Sequence, residues 1–180
     1  MIIEILLNIL NTFGENGNIV LIILSIFFLW EKQKLLFYYI VGYFINKLIN
    51  IILKGFLKQA RPTEDMRLFP VALSSKKGFI YKNGMPFEIF GMPSGHAQSC
   101  MYSTIFIYFA LRKNIILYLY LLVSFIIILQ RIINNYHTFL QVGIGCIIGG
   151  LFGYFMYRLA RENIKGFIQE RLDDFGPLYN

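Results

Sequence analysis

At 180 residues the chain has room for one domain rather than two. Hydrophobic residues make up 57% and charged residues 15%, and mean hydropathy is +0.58, where a soluble domain carries about 25% charged residues; the composition excludes a water-soluble globule and indicates an integral membrane protein. The formal net charge of +7 comes without a basic cluster interleaved with exposed aromatics, which excludes nucleic acid as a partner and leaves membrane topology as the reason for the positive loops.

The first apolar run covers about residues 2–13. Its start, "MIIEILLNILNTFG", lacks a basic n-region and a small-residue cleavage site, so it does not read as a removable signal peptide. It is short of the roughly 20 residues a span needs, and a short crossing, a re-entrant piece and an interfacial helix all stay open. The second run, 17–30, is marginal without its flanks. The third covers 35–59, the fourth Pro93 to Leu111, the fifth 114–133 and the sixth 138–160, and each of these four can span. The one long loop, 62–92, carries Pro62, Pro70 and Pro86 and reads as a water-exposed cap. Beyond 162 the tail has Ile164, Phe167, Ile168 and Leu172 at helical spacing, as a helix lying along the membrane surface would. The expected architecture is an all-α, polytopic membrane helical bundle of about six helices. Its membrane-embedded domain is 1–162, with a core at 35–160 and a surface tail at 163–180. Cys100 and Cys146 lie inside apolar runs without paired spacing, so they read as small buried hydrophobes and not as a zinc site or disulfide.

Alternating spans put the ends of the third and fifth runs and the starts of the fourth and sixth on one face. The opposite face receives Lys32, Lys34, Arg112, Lys113, Arg158, Arg161, Lys165 and Arg171, largely in short linkers, which makes it the cytoplasmic one. Lys58, Arg67, Lys76, Lys77 and Lys82 weigh on the other side of that count.

The polar residues that do not suit a bilayer gather on the first face. Lys54 and Arg61 stand seven residues apart, two helical turns, and Pro62 ends the run. "GMPSGHAQS" opens the fourth run on Pro93, Ser94, Gly95 and His96, and a helix starting there offers unpaired N–H groups and a positive dipole end to an anion. Arg131 and His137 lie between the fifth and sixth runs. Taken singly, each is ordinary: a histidine at a span end packs, a lysine snorkels, Pro-Ser-Gly turns. Together they form a cradle of two arginines, a lysine and a helix N-terminus for a multiply charged phosphate, flanked by the chain's only two histidines. One histidine can attack phosphorus while the other protonates the leaving oxygen.

The order K-x6-RP, PSGH, R-x5-H resembles the PAP2 (type 2 phosphatidic acid phosphatase) superfamily, whose signature is K-x6-RP, PSGH and SR-x5-H-x3-D. The resemblance covers about residues 35–160. It implies a six-helix membrane phosphatase that needs no metal and no other cofactor. His137 would be the nucleophile that forms a phosphohistidine and His96 the general acid, while Lys54, Arg61, Ser94, Gly95 and Arg131 hold the phosphoryl oxygens. Two positions depart from the signature: Gln130 stands for Ser, and Gln141 for the Asp that orients the nucleophile. One helical turn after His137, Gln141 can still accept a ring N–H, giving orientation without charge. "YHTFLQV" and "FGMPSGHAQ" are similar to the dolichyldiphosphatase family, where a Gln at this position is expected; Gly95 replaces a Ser common there.

The expected substrate is therefore a polyprenyl diphosphate of the dolichyl type, cleaved as part of glycan-carrier recycling for protein N-glycosylation. The site would face the endoplasmic reticulum lumen, or outward from the plasma membrane in a bacterium. The alternatives are the same chemistry on phosphatidate, phosphatidylglycerophosphate or undecaprenyl diphosphate, and a catalytically silent lipid-binding protein. The related vanadium haloperoxidases are soluble, which this chain is not.

Overall fold

The computed structural model describes residues 2–62, 70, 73, 81–82, 85–86 and 89–164. Among them are five helices: α1 (Ile2–Leu29), α2 (Gln33–Leu57), α3 (Gly95–Leu111), α4 (Asn114–Ile133) and α5 (Phe139–Ile164). Two-residue strands β1 (Tyr81–Lys82) and β2 (Met85–Pro86) pair antiparallel between α2 and α3. Most of the 62–92 loop, and the tail beyond Ile164 expected to lie on the membrane surface, fall outside the described residues.

The all-α bundle of about six helices is borne out, with five helices among the described residues; at the N-terminus the first two apolar runs form one helix. "GENG" at 14–17 reads as a break, yet both glycines are buried at a helix contact. A methyl group on Gly14 would run into the Gln130 side chain, and one on Gly17 into Ile127. They belong to a buried stripe, Gly14, Gly17, Asn18, Leu21, Ser25 and Leu29, that lies against α4. Without competing water the helical hydrogen bonds persist through glycine, and small residues let two backbones approach.

Leu10–Leu29, Gln33–Leu57, Asn114–Ile133 and Phe139–Asn163 are long and apolar enough to cross a membrane, and the protein is an integral membrane protein. α3, with 17 residues, is about 26 Å long, a little under the hydrocarbon thickness. It contacts all four other helices and is buried nearly all round. Large apolar side chains such as Phe27, Phe44, Phe56, Phe125, Phe139 and Leu151 point outward, as lipid-facing residues should. Polar groups turn inward and pair across helices. The hydroxyls of Tyr39 and Ser103 share a hydrogen bond of 2.8 Å, those of Ser25 and Tyr120 one of 2.9 Å, and those of Thr104 and Ser124 one of 3.0 Å. Cys100 is buried as expected; Cys146 is only partly so.

α3 and α5 pack backbone to backbone. Gly145, Gly149 and Gly153, spaced four apart, face the carbonyls of Ser94, Gln98 and Tyr102, also spaced four apart. A Cβ on Gly149 would collide with the Gln98 carbonyl, and backbone cannot give way as a side-chain tip can. Gly149→Ala is expected to cost about 2 kcal/mol or more, read as a lowered unfolding midpoint in detergent. Gly150→Ala, whose Cβ would meet only Ile105 Cγ1 at 3.6 Å, should be neutral. Equal effects from the two would mean that the α3–α5 contact is not glycine-dependent.

Candidate active site

The functional side chains are delivered by helix ends. α2 closes at Leu57, where Lys58 turns left-handed (φ 44°) and its N–H donates to the Lys54 carbonyl. Only Lys54 therefore stands on the helix, and the expectation that Arg61 projects from the same helix two turns on is corrected. Arg61 follows an extended link in which Ala60 pairs with Phe90 and the Gly91 N–H donates to Gln59 O at 2.7 Å. The two cations nonetheless converge, because both act electrostatically on His137.

At the other side of the site, Ser94 caps α3 from extended geometry (φ −65°, ψ 117°) without a side-chain capping bond. Its Oγ is buried and has no hydrogen-bond partner among the described residues. The first N–H groups of α3, at Gly95, His96 and Ala97, have no intrahelical acceptor and sit at the positive dipole end. Gly95 is tightly placed: a Cβ there would lie 3.0 Å from Asn50 Oδ1. The Asn50 amide in turn donates to Pro93 O at 3.1 Å and to Gln98 Oε1 at 2.8 Å, so it has little freedom to yield to a serine.

α4 ends in a tight turn. Asn135 is left-handed (φ 54°), and the N–H groups of Tyr136 and His137 both donate to the Arg131 carbonyl, at 3.0 and 3.2 Å. The Arg131 guanidinium lies 5.1 Å from the centre of the Tyr136 ring. Its Nε and Nη2 are buried without hydrogen-bond partners among the described residues. Gln130, in the place of the signature serine, is turned toward α1 and packs on Gly14.

His137 and Gln141 meet through the cap of α5. Thr138 is its N-cap, and Gln141 sits three positions on. The Gln141 N–H donates to Thr138 Oγ1 at 3.2 Å, while the Thr138 N–H donates to Gln141 Oε1 at 3.2 Å. This is a capping box, T-x-x-Q, and the letters "TFLQ" already carried its signature. The same Oε1 lies 3.3 Å from His137 Nδ1, and the amide nitrogen donates to Ala60 O at 2.8 Å and Gln59 Oε1 at 3.0 Å. The amide is thus oriented by all its neighbours: oxygen toward donors, nitrogen toward acceptors. Gly91 is required beside it, since a Cβ there would approach Gln141 Oε1 to 2.6 Å.

The imidazole of His137 is buried, 4% exposed. Burial first, and then the charges of Arg61 and Lys54, push its pKa down to about 3, against the opposing hydrogen bonds to Gln141 and the Gly91 backbone. At neutral pH the ring is neutral, and with Nδ1–H donating to Gln141 Oε1 its Nε2 carries a lone pair. The charges that act on His96 are those of Arg131, Lys47, His137 and Arg61. The structure therefore brings together Lys54, Arg61, Ser94, Gly95, His96, Arg131, His137 and Gln141.

A family model described as the PAP2 superfamily matches residues 35–165. The chain belongs to the PAP2 superfamily. All eight site residues lie within the match, and α1 lies before it. The chain is also 26% identical over 134 residues to "Lipid phosphate phosphatase epsilon 1, chloroplastic" of Arabidopsis thaliana; the alignment covers 70% of this chain and 41% of that protein. No solved structure matches the chain.

Within this PAP2 site, sequence reasoning missed Lys47, Asn50, Gln59 and Gly91. Lys47 had a signal, an ionisable residue seven before Lys54 in an apolar run. The other three had none, because their partners lie far along the chain. Gln141→Glu tests the amide's double duty. A carboxylate keeps the capping box but sets an acceptor against Ala60 O and Gln59 Oε1. The expected loss is about 1–3 kcal/mol in unfolding free energy in detergent; an unchanged or raised midpoint would show that the amide nitrogen is dispensable.

Proposed function

We propose that the chain is a membrane phosphatase that removes the terminal phosphate of a polyprenyl diphosphate, of the dolichyl type, through a phosphohistidine. The observation that carries this reading is the buried imidazole of His137, its Nδ1 3.3 Å from Gln141 Oε1, with Lys54 and Arg61 acting on it. Nε2 of His137 attacks the terminal phosphorus. As the bridging P–O bond breaks, His96, which takes up a proton when the anionic diphosphate offsets the surrounding cations, gives that proton to the departing polyprenyl phosphate. Water then attacks the phosphohistidine, His96 takes the proton, and inorganic phosphate leaves. Lys54, Arg61, Arg131, Ser94 and the N–H groups at Gly95 carry the charge on the phosphoryl oxygens, and the reaction as written needs no metal. The buried Ser94 Oγ and Arg131 nitrogens, without partners among the described residues, support this assignment, since a phosphate would satisfy them.

The diphosphate assignment rests on the likeness of "YHTFLQV" and "GMPSGHAQ" to the dolichyldiphosphatase pattern. Its consequences are a role in recycling the carrier for protein N-glycosylation and an active site on the lumenal or outer side. A second reading, hydrolysis of a lipid phosphate such as phosphatidate, is favoured by the likeness to the Arabidopsis lipid phosphate phosphatase.

The test is phosphate release by the detergent-purified chain from dolichyl diphosphate and phosphatidate side by side, with EDTA present. Turnover of the diphosphate supports the first reading. Turnover of phosphatidate alone replaces it with the second, and release from neither by folded protein makes the chain a silent lipid-binding member of its family.

A further inference from the structure

Lys47 stands on α2 between the site and the far membrane face, in a segment apolar enough to span. A lysine there is expensive unless it faces something polar. It shares the helix face of Asn50 and Lys54, three and seven residues on, and lies about 10 Å below Lys54 along the axis. Its ammonium sits 5.6 Å from the centre of the Tyr43 ring. It is partly buried, and no carboxylate among the described residues pairs with it. A snorkelling lysine would instead turn outward along lipid toward the interface.

The lysine is held at this level by a polar clamp between α2 and α3. Gln98 Nε2 donates to both Asn46 O and Asn46 Oδ1 at 2.9 Å, and Gln98 Oε1 accepts from Asn50. Gln98 is fully buried, so the clamp fixes the face of α2 that carries Lys47 against the start of α3.

Arg61 acts on both histidines, but the lysine at each is a different one. His137 feels Arg61 and Lys54, and Lys47 is not among the groups acting on it. His96 feels Lys47. In an in-line displacement the leaving oxygen lies opposite the nucleophile, which here means on the His96 side. A second phosphate on that oxygen would extend toward the side of the site on which Lys47 acts. An uncharged alcohol leaving group brings Lys47 nothing to bind.

We propose that Lys47 forms a second anion subsite, on the His96 side of the cradle, that holds the leaving-group phosphate and selects diphosphates over monophosphates. Its effect on turnover rests on the phosphatase reading; its effect on binding does not.

The experiment uses the full chain in detergent and compares wild type, Lys47→Met, Lys47→Arg and, as a surface control, Lys113→Met. Affinity for methylenediphosphonate, which cannot be hydrolysed, is measured against that for inorganic phosphate. Lys47→Met is expected to weaken the diphosphonate about tenfold or more and phosphate by less than about twofold, and Lys47→Arg to restore most of the difference. Equal weakening of both ligands, or of neither, overturns the subsite. Turnover of farnesyl diphosphate and farnesyl monophosphate is then read on the same proteins. If wild type turns over neither while diphosphonate binding still depends on Lys47, the phosphatase reading falls and the subsite stands. If turnover proceeds and the two substrates lose equally in Lys47→Met, the subsite falls and the phosphatase stands.

Discussion

His137→Ala is expected to slow phosphate release by on the order of 10⁴-fold or more while leaving the unfolding midpoint within a few degrees of wild type. The catalytic half follows from the role: without the attacking nitrogen no phosphohistidine forms, and water has no general base placed to replace it. The structural half follows from the contacts. Beside its bond to the Gly91 backbone, the side chain makes only a long one, 3.3 Å, to Gln141, and Gln141 keeps Thr138, Ala60 and Gln59 without it. The backbone bond from the His137 N–H to Arg131 O does not depend on the side chain. His96→Ala gives the contrast. On p-nitrophenyl phosphate, whose leaving group needs no proton, it should lose far less than on a lipid diphosphate, whereas His137→Ala should be equally inactive on both. Residual turnover in His137→Ala above about 1% of wild type would assign the attack to another group.

The membrane explains why so much of this site is readable from letters alone. In a chain with 15% charged residues, ionisable side chains at span ends stand out, and short motifs carry them. Lys54, Ser94, His96, Arg131 and His137 could be placed from the letters because each needs only its own helix end, and each stands at one. α4, expected at 114–133, forms over those residues. The failures share a cause. Gly14 and Gly17 look like a break, and only the α4 surface opposite them turns them into a contact. Arg61 looks helical by spacing, but the link through Ala60 and Gln59 to Phe90 and Gly91 draws the chain off the helix. Gln141 looks like a weakened aspartate. Its amide nitrogen is needed by acceptors about eighty residues away, a requirement that periodicity cannot express.

Arg131→Met is expected to move stability and activity in opposite directions. Arg131 is 8% exposed, with Nε and Nη2 unsatisfied among the described residues and a like charge nearby at Arg61. Methionine of similar length removes those buried donors and the repulsion. It forfeits the Tyr136 contact, worth about 0.5–1 kcal/mol, and the attraction of Glu15. Exchanging an under-satisfied buried charge for an apolar side chain is commonly worth about 1–4 kcal/mol, so the balance favours a gain of about 1 kcal/mol and a higher Tm in detergent. The phosphoryl group, however, loses a planar two-pronged donor that stabilises its transition-state charge, and kcat/KM should fall by about 10²–10³-fold. Inorganic phosphate supplies a third reading. It should raise the Tm of wild type by binding the folded cradle, and raise that of Arg131→Met much less. A variant that loses stability and activity together would make Arg131 a structural strut between α4 and its turn. Divergence of the two would mean that the fold tolerates strain at Arg131 because the strain is relieved only by an anion.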